Sequence, residues 1–275
     1  KSYYIRIDGI VQGVGFRPHV YRLATAYNLT GWVLNSSAGV FMEVEGEEET
    51  LQEFARRLVE DAPPLAIIRN CSIQEIKPQG FKGFTIRESE NRGSREVMIS
   101  PDIAICEDCK REVRDHADRR YTYPFINCTN CGPRFTIIKD VPYDRAKTTM
   151  APFPMCPECR QEYENPLHRR FHAQPNACPV CGPHTTLVDE NGQQVDIPVV
   201  DLLKDGRIMA VKGLGGFHLA ADATNIKAVK ALRERKRRDA KPFAVMARDL
   251  EAARRYAYIN TLEEKWLNSP QAPIV

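Results

Sequence analysis

The sequence predicts an α+β chain built in series: an antiparallel sandwich, a doubled four-cysteine segment, and a further α/β unit. Three observations carry this. Residues 3–89 alternate strand and helix periodicities, eight of the nine cysteines fall into Cys-x-x-Cys pairs, and apolar runs with a glycine turn return after Cys181. A length of 275 residues suits roughly two domains of about 100–200 residues. Hydrophobic residues at 43% and charged ones at 27% exclude wholesale disorder. A net charge of +3 is too small to make the whole molecule a nucleic-acid binder, so any basic site must be local. No apolar run approaches the ~18 residues of a membrane helix, and no basic-then-apolar signal segment follows Lys1. A cytoplasmic enzyme or binding protein fits. The chain starts at Lys1 without a Met and stops at Ala272-Pro273-Ile274-Val275, where an apolar run only begins, so a fragment is expected.

The first unit reads in order. Tyr3-Tyr4-Ile5-Arg6-Ile7 alternates like a strand, and Pro18 to Asn28 carries Val20, Leu23, Ala24 and Tyr27 at helical spacing. Trp32 to Asn35 and Val40 to Glu45 form a hairpin across Ser36-Ser37-Ala38-Gly39. Glu47 to Asp61 is helical, with Leu51, Phe54, Ala55, Leu58 and Val59 on one face, and Ile67 to Ile76 and Phe84 to Arg87 are strands. Strand–helix–strand–strand–helix–strand is the split βαβ order of a ferredoxin-like sandwich. Cys71, alone in an apolar-alternating stretch, reads as a small core residue.

The pairs Cys106/Cys109, Cys128/Cys131, Cys156/Cys159 and Cys178/Cys181 are separated by 18, 24 and 18 residues. This is a duplication with a period of 50, and Arg119-Arg120-Tyr121 maps onto Arg169-Arg170-Phe171 in the same register. Two thiolates two residues apart grip one tetrahedral metal, and a second pair completes a closed four-sulfur site of the structural zinc type. Disulfides are the rival, disfavoured without a secretion signal. Two structural zinc ions are expected; pairing within each repeat is favoured, and an interleaved pairing uses the same sulfurs. His116, His168, His172 and His184 read as polar neighbours rather than ligands.

Chemistry concentrates at Gly9-Ile10-Val11-Gln12-Gly13-Val14-Gly15-Phe16-Arg17, where a strand runs through a glycine-bearing loop into a helix. Gly13 and Gly15 let successive N–H groups converge as an anion nest at a helix N-terminus, and Arg17 adds a guanidinium for a phosphate-sized anion. The string Gly-x-Val-Gln-Gly-Val-x-Phe-Arg resembles the acylphosphatase signature, and Gly31-Trp32-Val33-Leu34-Asn35 with Gly39 resembles that family's second motif. Leu34, Val40-Phe41 and Gly46 depart from its pattern. The resemblance implies a phosphate cradle over Gln12, Gly13, Val14, Gly15, Phe16 and Arg17. Arg17 would bind the phosphoryl group and Asn35 would orient the attacking water.

After Cys181, Val195 to Val200 and Ile208 to Lys212 read as strands around a short helix at Asp201 to Lys204, followed by a helix from Asn225 to Arg238. Residues 233–242 hold six basic and two acidic side chains. This is either a solvated helix end or a phosphate or nucleic-acid surface. Val211-Lys212-Gly213-Leu214-Gly215-Gly216-Phe217-His218-Leu219, with Lys236-Arg237-Arg238 and Lys241-Pro242-Phe243, resembles the start of a YrdC-type domain. That resemblance implies ATP binding with carbamoyl-adenylate chemistry, and Lys212, Lys236, Arg238 and Lys241 facing nucleotide or carbamoyl-phosphate oxygens; double-stranded RNA is another ligand of such domains.

Acylphosphatase (1–90), tandem four-cysteine segment (101–185) and truncated YrdC-like part (193–275) in this order resemble the HypF family, the carbamoyltransferases of [NiFe]-hydrogenase maturation. Arg120-Tyr121-Thr122-Tyr123-Pro124-Phe125-Ile126-Asn127-Cys128 and Arg169-Arg170-Phe171-His172-Ala173-Gln174-Pro175 match it closely. The resemblance implies hydrolysis of carbamoyl phosphate, activation of carbamate with Mg-ATP as carbamoyl-adenylate, and transfer to a C-terminal cysteine of HypE for cyanide synthesis. Two other classes compete: a zinc-ribbon nucleic-acid binder using residues 233–241, and a zinc scaffold that docks HypE.

Overall fold

The computed structural model describes residues 1–90, 98–213 and 215–275, which divide into two compact units, Lys1–Pro183 and His184–Val275. The first unit opens with β1 (Ser2–Ile10), α1 (Phe16–Ala26), β2 (Thr30–Ser36), β3 (Gly39–Glu45), α2 (Glu48–Glu60), β4 (Ile67–Ile76) and β5 (Phe84–Ile86). The sheet order is β4-β1-β3-β2-β5. β1 pairs antiparallel with β3 and β4, and short β5 joins β2 in parallel. This is the ferredoxin-like arrangement extended by one edge strand.

Period-two alternation decides the two faces. Ile5, Ile7, Val33, Val40, Met42 and Val44 point to the helices and meet Val20, Ala24, Leu51, Phe54 and Leu58. Each such burial stabilises by about 1.5–3 kcal/mol. The other face gathers Trp32, Leu34, Ala38 and Phe41, with the Arg87 guanidinium 4.5 Å from the Trp32 ring. With both faces filled, β3 is buried along its whole length. α2 buries Leu51, Phe54 and Leu58, but Val59 is 43% exposed. Spacings of three and four residues define the buried stripe, and Val59 lies about 100° beyond Leu58 around the helix. Cys71, on β4, packs at the edge of the core.

The cysteine segment contributes α3 (Glu107–Arg114) and α4 (Pro157–Glu164), each starting directly after the first cysteine of its repeat. The duplication extends to the backbone. Thr122 and His172 adopt left-handed φ values of 56° and 54°, and their N–H groups donate to Val113 O and Tyr163 O, fifty residues apart like themselves. The buried apolar cluster here is thin and includes the thiols of Cys109, Cys128 and Cys131, so apolar packing alone contributes little to this segment.

The second unit holds α5 (Val199–Lys204), a hairpin of β6 (Met209–Lys212) and β7 (Phe217–Ala220), then α6 (Ile226–Lys236), α7 (Leu250–Arg254) and α8 (Thr261–Leu267). The strand expected over 195–200 is absent: Val199 and Val200 begin α5 instead. Pro198 is its N-cap, and the apolar pair forms the first turn of the helix. The glycine turn closes through Gly213 N to Gly216 O at 2.7 Å; Leu214 lies outside the described residues. Asn225 caps α6 by accepting from Lys227 N and Ala228 N, and Arg237 ends it at φ 48°. Among the described residues, Ala228 and Leu232 are the buried hydrophobics of this unit. No helix among them is long and apolar enough to cross a membrane.

Candidate active site and metal centres

The loop between β1 and α1 is built on two left-handed glycines, Gly13 (φ 72°) and Gly15 (φ 80°). A Cβ on Gly13 would stand 2.6 Å from Pro133 Cβ and 2.8 Å from the Tyr143 ring, so the cysteine segment packs directly against this loop. Gly15 is the N-cap of α1 and gives it no side-chain cap. The first-turn N–H groups and the positive end of the helix dipole are therefore left for an anion. Val14 and Phe16 point into the core. Gln12 is occupied by structure: Nε2 donates to Ser36 O at 2.8 Å and Gly39 O at 3.3 Å, and Oε1 accepts from Tyr143 N at 3.0 Å. Any contact of Gln12 with an anion falls to its backbone.

Arg17 and Asn35 come together, from the first turn of α1 and the end of β2. Both are nearly sealed, at 7% and 2% exposure. With its amide oxygen turned to the guanidinium, Asn35 accepts from Arg17 Nη2 at 3.2 Å and Nε at 3.1 Å. Arg17 Nη1 donates to Ser89 Oγ at 3.3 Å, and Nη2 faces Asp144 Oδ1 at 3.3 Å. The cavity at this point measures about 20 Å³ for the centre of a water-sized occupant, and its walls come from both parts of the unit: Gly13, Gly15, Arg17 and Asn35 on one side, Asn127, Thr129, Tyr143, His172 and Gln174 on the other. Asp144, Ser89, Thr129 and Tyr143 were not singled out from the sequence, and His172 was read there only as a polar neighbour of the cysteines. One signal was available. At three positions where the two repeats differ, Thr122/His172, Pro124/Gln174 and Asn127/Ala177, the second member of the first two pairs and the first of the third line the cavity.

His172 stacks on Tyr163 with centroids 5.1 Å apart and planes 7° from parallel. Burial first, and the Arg17 charge second, push its imidazole down to about 4, so it is neutral at pH 7. An unfolded histidine protonates near 6.5. The stability tied to neutral His172 is therefore complete above about pH 6.5 and lost as pH falls toward 4, by at most about 3 kcal/mol. In His172→Asn, a residue that tolerates left-handed φ, the fall in unfolding free energy between pH 6.5 and 4 is expected to be shallower by that amount. Urea titrations of both proteins across this range check it; identical slopes would remove the assignment.

The cysteine thiols form two groups, Cys106/Cys109/Cys128/Cys131 and Cys156/Cys159/Cys178/Cys181, each with all sulfurs within 4.8 Å of one another. Neighbouring pairs of one repeat thus lie together. Three separations in each group lie between 3.5 and 3.8 Å. A zinc–sulfur bond of about 2.3 Å gives a tetrahedron with edges of about 3.8 Å, so the donor sets fit zinc. Four thiolates close each site, and zinc there would supply structure.

The repeats brace each other. Arg120, 1% exposed, crosses to the second repeat: Nε donates to Ala177 O at 2.8 Å, Nη1 to Glu162 Oε1 at 3.0 Å and Nη2 to Cys159 Sγ at 3.4 Å. Arg119 Nη2 reaches the same sulfur at 3.2 Å. Reciprocally, Arg170 Nε donates to Asn127 O at 3.1 Å and Arg169 Nη1 to Cys109 Sγ at 3.1 Å, both arginines pairing with Glu112. Burial opposes charge on Glu162, yet Arg120 and then Arg119 hold its carboxyl down at about 2. His116 lies against Tyr121 with centroids 4.1 Å apart and planes tilted by 35°, and His168 Nδ1 accepts from Arg170 N at 3.1 Å.

In the second unit, Lys212 Nζ lies 5.9 Å from the Phe217 ring, while Arg233 and Arg238 lie 4.8 and 5.2 Å from Phe243. Arg233 Nη1 also donates to Arg238 O at 3.0 Å and Lys241 O at 3.3 Å, fixing the chain after α6. Lys236 and Lys241 are exposed and Arg238 half-buried.

An acylphosphatase-type sandwich, closed by a doubled four-thiolate segment, defines the class. Family models agree: acylphosphatase over residues 3–86, HypF finger over 105–138 and 155–188, and a Sua5, YciO and YrdC model described as telomere recombination over 201–275. The chain is 50% identical over 281 aligned residues to carbamoyltransferase HypF of Synechocystis, covering 100% of this chain and 36% of that protein. It is 48% identical to the probable carbamoyltransferase HypF of Methanocaldococcus jannaschii, covering 98% and 36%. A crystal structure of full-length HypF in the phosphate- and nucleotide-bound form matches with TM-score 0.91 and 49% identity over 98% of this chain and 36% of that one. HypF of T. kodakarensis matches with TM-score 0.87 and 51% identity, over 98% and 35%. The chain belongs to the HypF family and spans about a third of the length of these relatives.

Proposed function

We propose that the cavity at Arg17 and Asn35 hydrolyses carbamoyl phosphate to carbamate and phosphate. The observation that carries this reading is the guanidinium of Arg17 beside the Asn35 amide at the uncapped start of α1. A phosphoryl group seated on residues 12–17 would meet backbone N–H groups and Arg17, preorganised where charge builds on its oxygens. Asn35 would hold the attacking water. Phosphoryl transfer of this kind needs positioning and charge stabilisation rather than a strong base.

The same reading extends to the longer family members. Three modules, 1–90, 101–185 and 193–275, would act in sequence in a cytoplasmic carbamoyltransferase of [NiFe]-hydrogenase maturation. Lys212, Lys236, Arg238 and Lys241 would face Mg-ATP, carbamate would become carbamoyl-adenylate, and the carbamoyl group would pass to the C-terminal cysteine of HypE for cyanide ligand synthesis. Carbamate decomposes in water, and a closed first site favours its survival. Phosphate release from carbamoyl phosphate by the zinc-loaded protein tests the first step. Asn35→Ala is expected to lower kcat about 10²-fold or more with KM changed far less; an unchanged kcat would overturn the water-holding role.

A further inference from the structure

The cavity contains a polar side chain that the acyl-phosphate reading leaves unexplained. Asn127 is 4% exposed and lines the cavity together with Arg17 and Asn35. Neither its Oδ1 nor its Nδ2 has a hydrogen-bond partner among the described residues. Leaving a buried amide unsatisfied costs about 1–3 kcal/mol per group. Nor does folding of the repeat require the amide, because the equivalent position fifty residues later is Ala177. The backbone at Asn127 is nonetheless held firmly: its carbonyl accepts from Arg170 Nε at 3.1 Å, and the next residue is the thiol Cys128. An amide whose Oδ1 and Nδ2 both lack partners thus stands in the cavity wall on a rigid support.

We propose that Asn127 reads the carbamoyl group of the substrate, pairing its amide edge-to-edge with the carbamoyl N–H and C=O. The inference rests on the reading of this cavity as a carbamoyl phosphate site. A carbamoyl group carries the complementary pair, an N–H donor and a carbonyl acceptor on one planar edge, so both unsatisfied atoms of Asn127 find partners in a single contact. Acetyl phosphate has the same size, with a methyl in place of the amino group. It satisfies Nδ2 and leaves Oδ1 buried without a donor. Shape cannot separate these two substrates, whereas an unpaired buried acceptor can. The selecting residue therefore belongs to the cysteine segment, and the phosphate cradle to the sandwich.

Initial rates of phosphate release from carbamoyl phosphate and from acetyl phosphate, with zinc-loaded wild type and Asn127→Ala, test this. Wild type is expected to favour carbamoyl phosphate in kcat/KM by about tenfold or more, and Asn127→Ala to lower that ratio about tenfold, as one lost hydrogen bond with its desolvation penalty requires. Zinc content and Tm are measured alongside. Should Asn127→Ala fail to retain zinc, the shape-matched Asn127→Leu takes its place with the same expected ratio. An unchanged ratio, or a wild type that prefers neither substrate, overturns the inference and leaves the hydrolase reading standing. A wild type that releases phosphate from neither overturns both.

Discussion

Arg17→Ala is expected to slow phosphate release from carbamoyl phosphate by about 10³-fold or more, the scale of losing an arginine that faces a transferring phosphoryl group. Among the described residues that line the cavity, Arg17 is the one cation, since neutral His172 adds no charge. Its removal has a second consequence. Asp144 Oδ1 now sits 3.3 Å from Arg17 Nη2; without the guanidinium this carboxylate faces an incoming phosphate with nothing to offset it. Arg17→Ala combined with Asp144→Ala is therefore expected to recover part of the activity lost in Arg17→Ala, a non-additivity that marks two groups acting on one another. Arg17→Lys keeps the charge but not the fork that reaches Asn35 and Ser89 together, and is expected to remain well below wild type. Steady-state phosphate release by these four proteins and by Asp144→Ala checks this. Wild-type rates in Arg17→Ala would show that another group holds the phosphoryl oxygens.

The sandwich was legible because local signals agree there. Alternation in Tyr3 to Ile7, the 51/54/58 stripe and the glycines at 13, 15 and 39 each specify one element, and all point to one topology. The cysteine duplication was legible because spacing alone brings four thiolates together. What the sequence hid was the partnership between the two. Asp144, His172 and Asn127 lie more than a hundred residues from Arg17, and nothing in their own neighbourhoods points to the loop at Gly13. They reach the cavity only because Gly13 lets Pro133 and Tyr143 approach the loop. Likewise the apolar run 195–200 reads as a strand because short apolar stretches do not separate strand from helix by periodicity; in the fold Val199 and Val200 open α5 behind Pro198.

The exchange of arginines between the repeats makes a further large effect expected. Arg120→Ala should destabilise the first unit by about 2–4 kcal/mol, since Ala177 O and Asn176 Oδ1 lose their buried donor and Glu162 keeps only the partly exposed Arg119 and the more distant Arg170. Its distinguishing consequence lies in the other repeat. Arg120 stands in the first repeat, but the sulfur it contacts, Cys159, belongs to the second thiolate group. Around Zn²⁺ four thiolates carry a net charge of −2, and N–H donors to those sulfurs stabilise it. Their loss typically weakens metal binding about 10–100-fold. Arg120→Ala is thus expected to release zinc from the Cys156/Cys159/Cys178/Cys181 group first, and Arg169→Ala, whose Nη1 reaches Cys109 Sγ at 3.1 Å, from the Cys106/Cys109/Cys128/Cys131 group first. Because each repeat's arginines hold the other's carbonyls, emptying either group should then loosen both, so a chelator removes the two ions as one event from wild type. Competition with a chromophoric chelator, with the Cys156→Ser and Cys106→Ser variants to identify each group, separates the outcomes. Two independent release steps in wild type, or loss from the same-repeat group in Arg120→Ala, would show that the arginines brace the fold without tuning the metal centres.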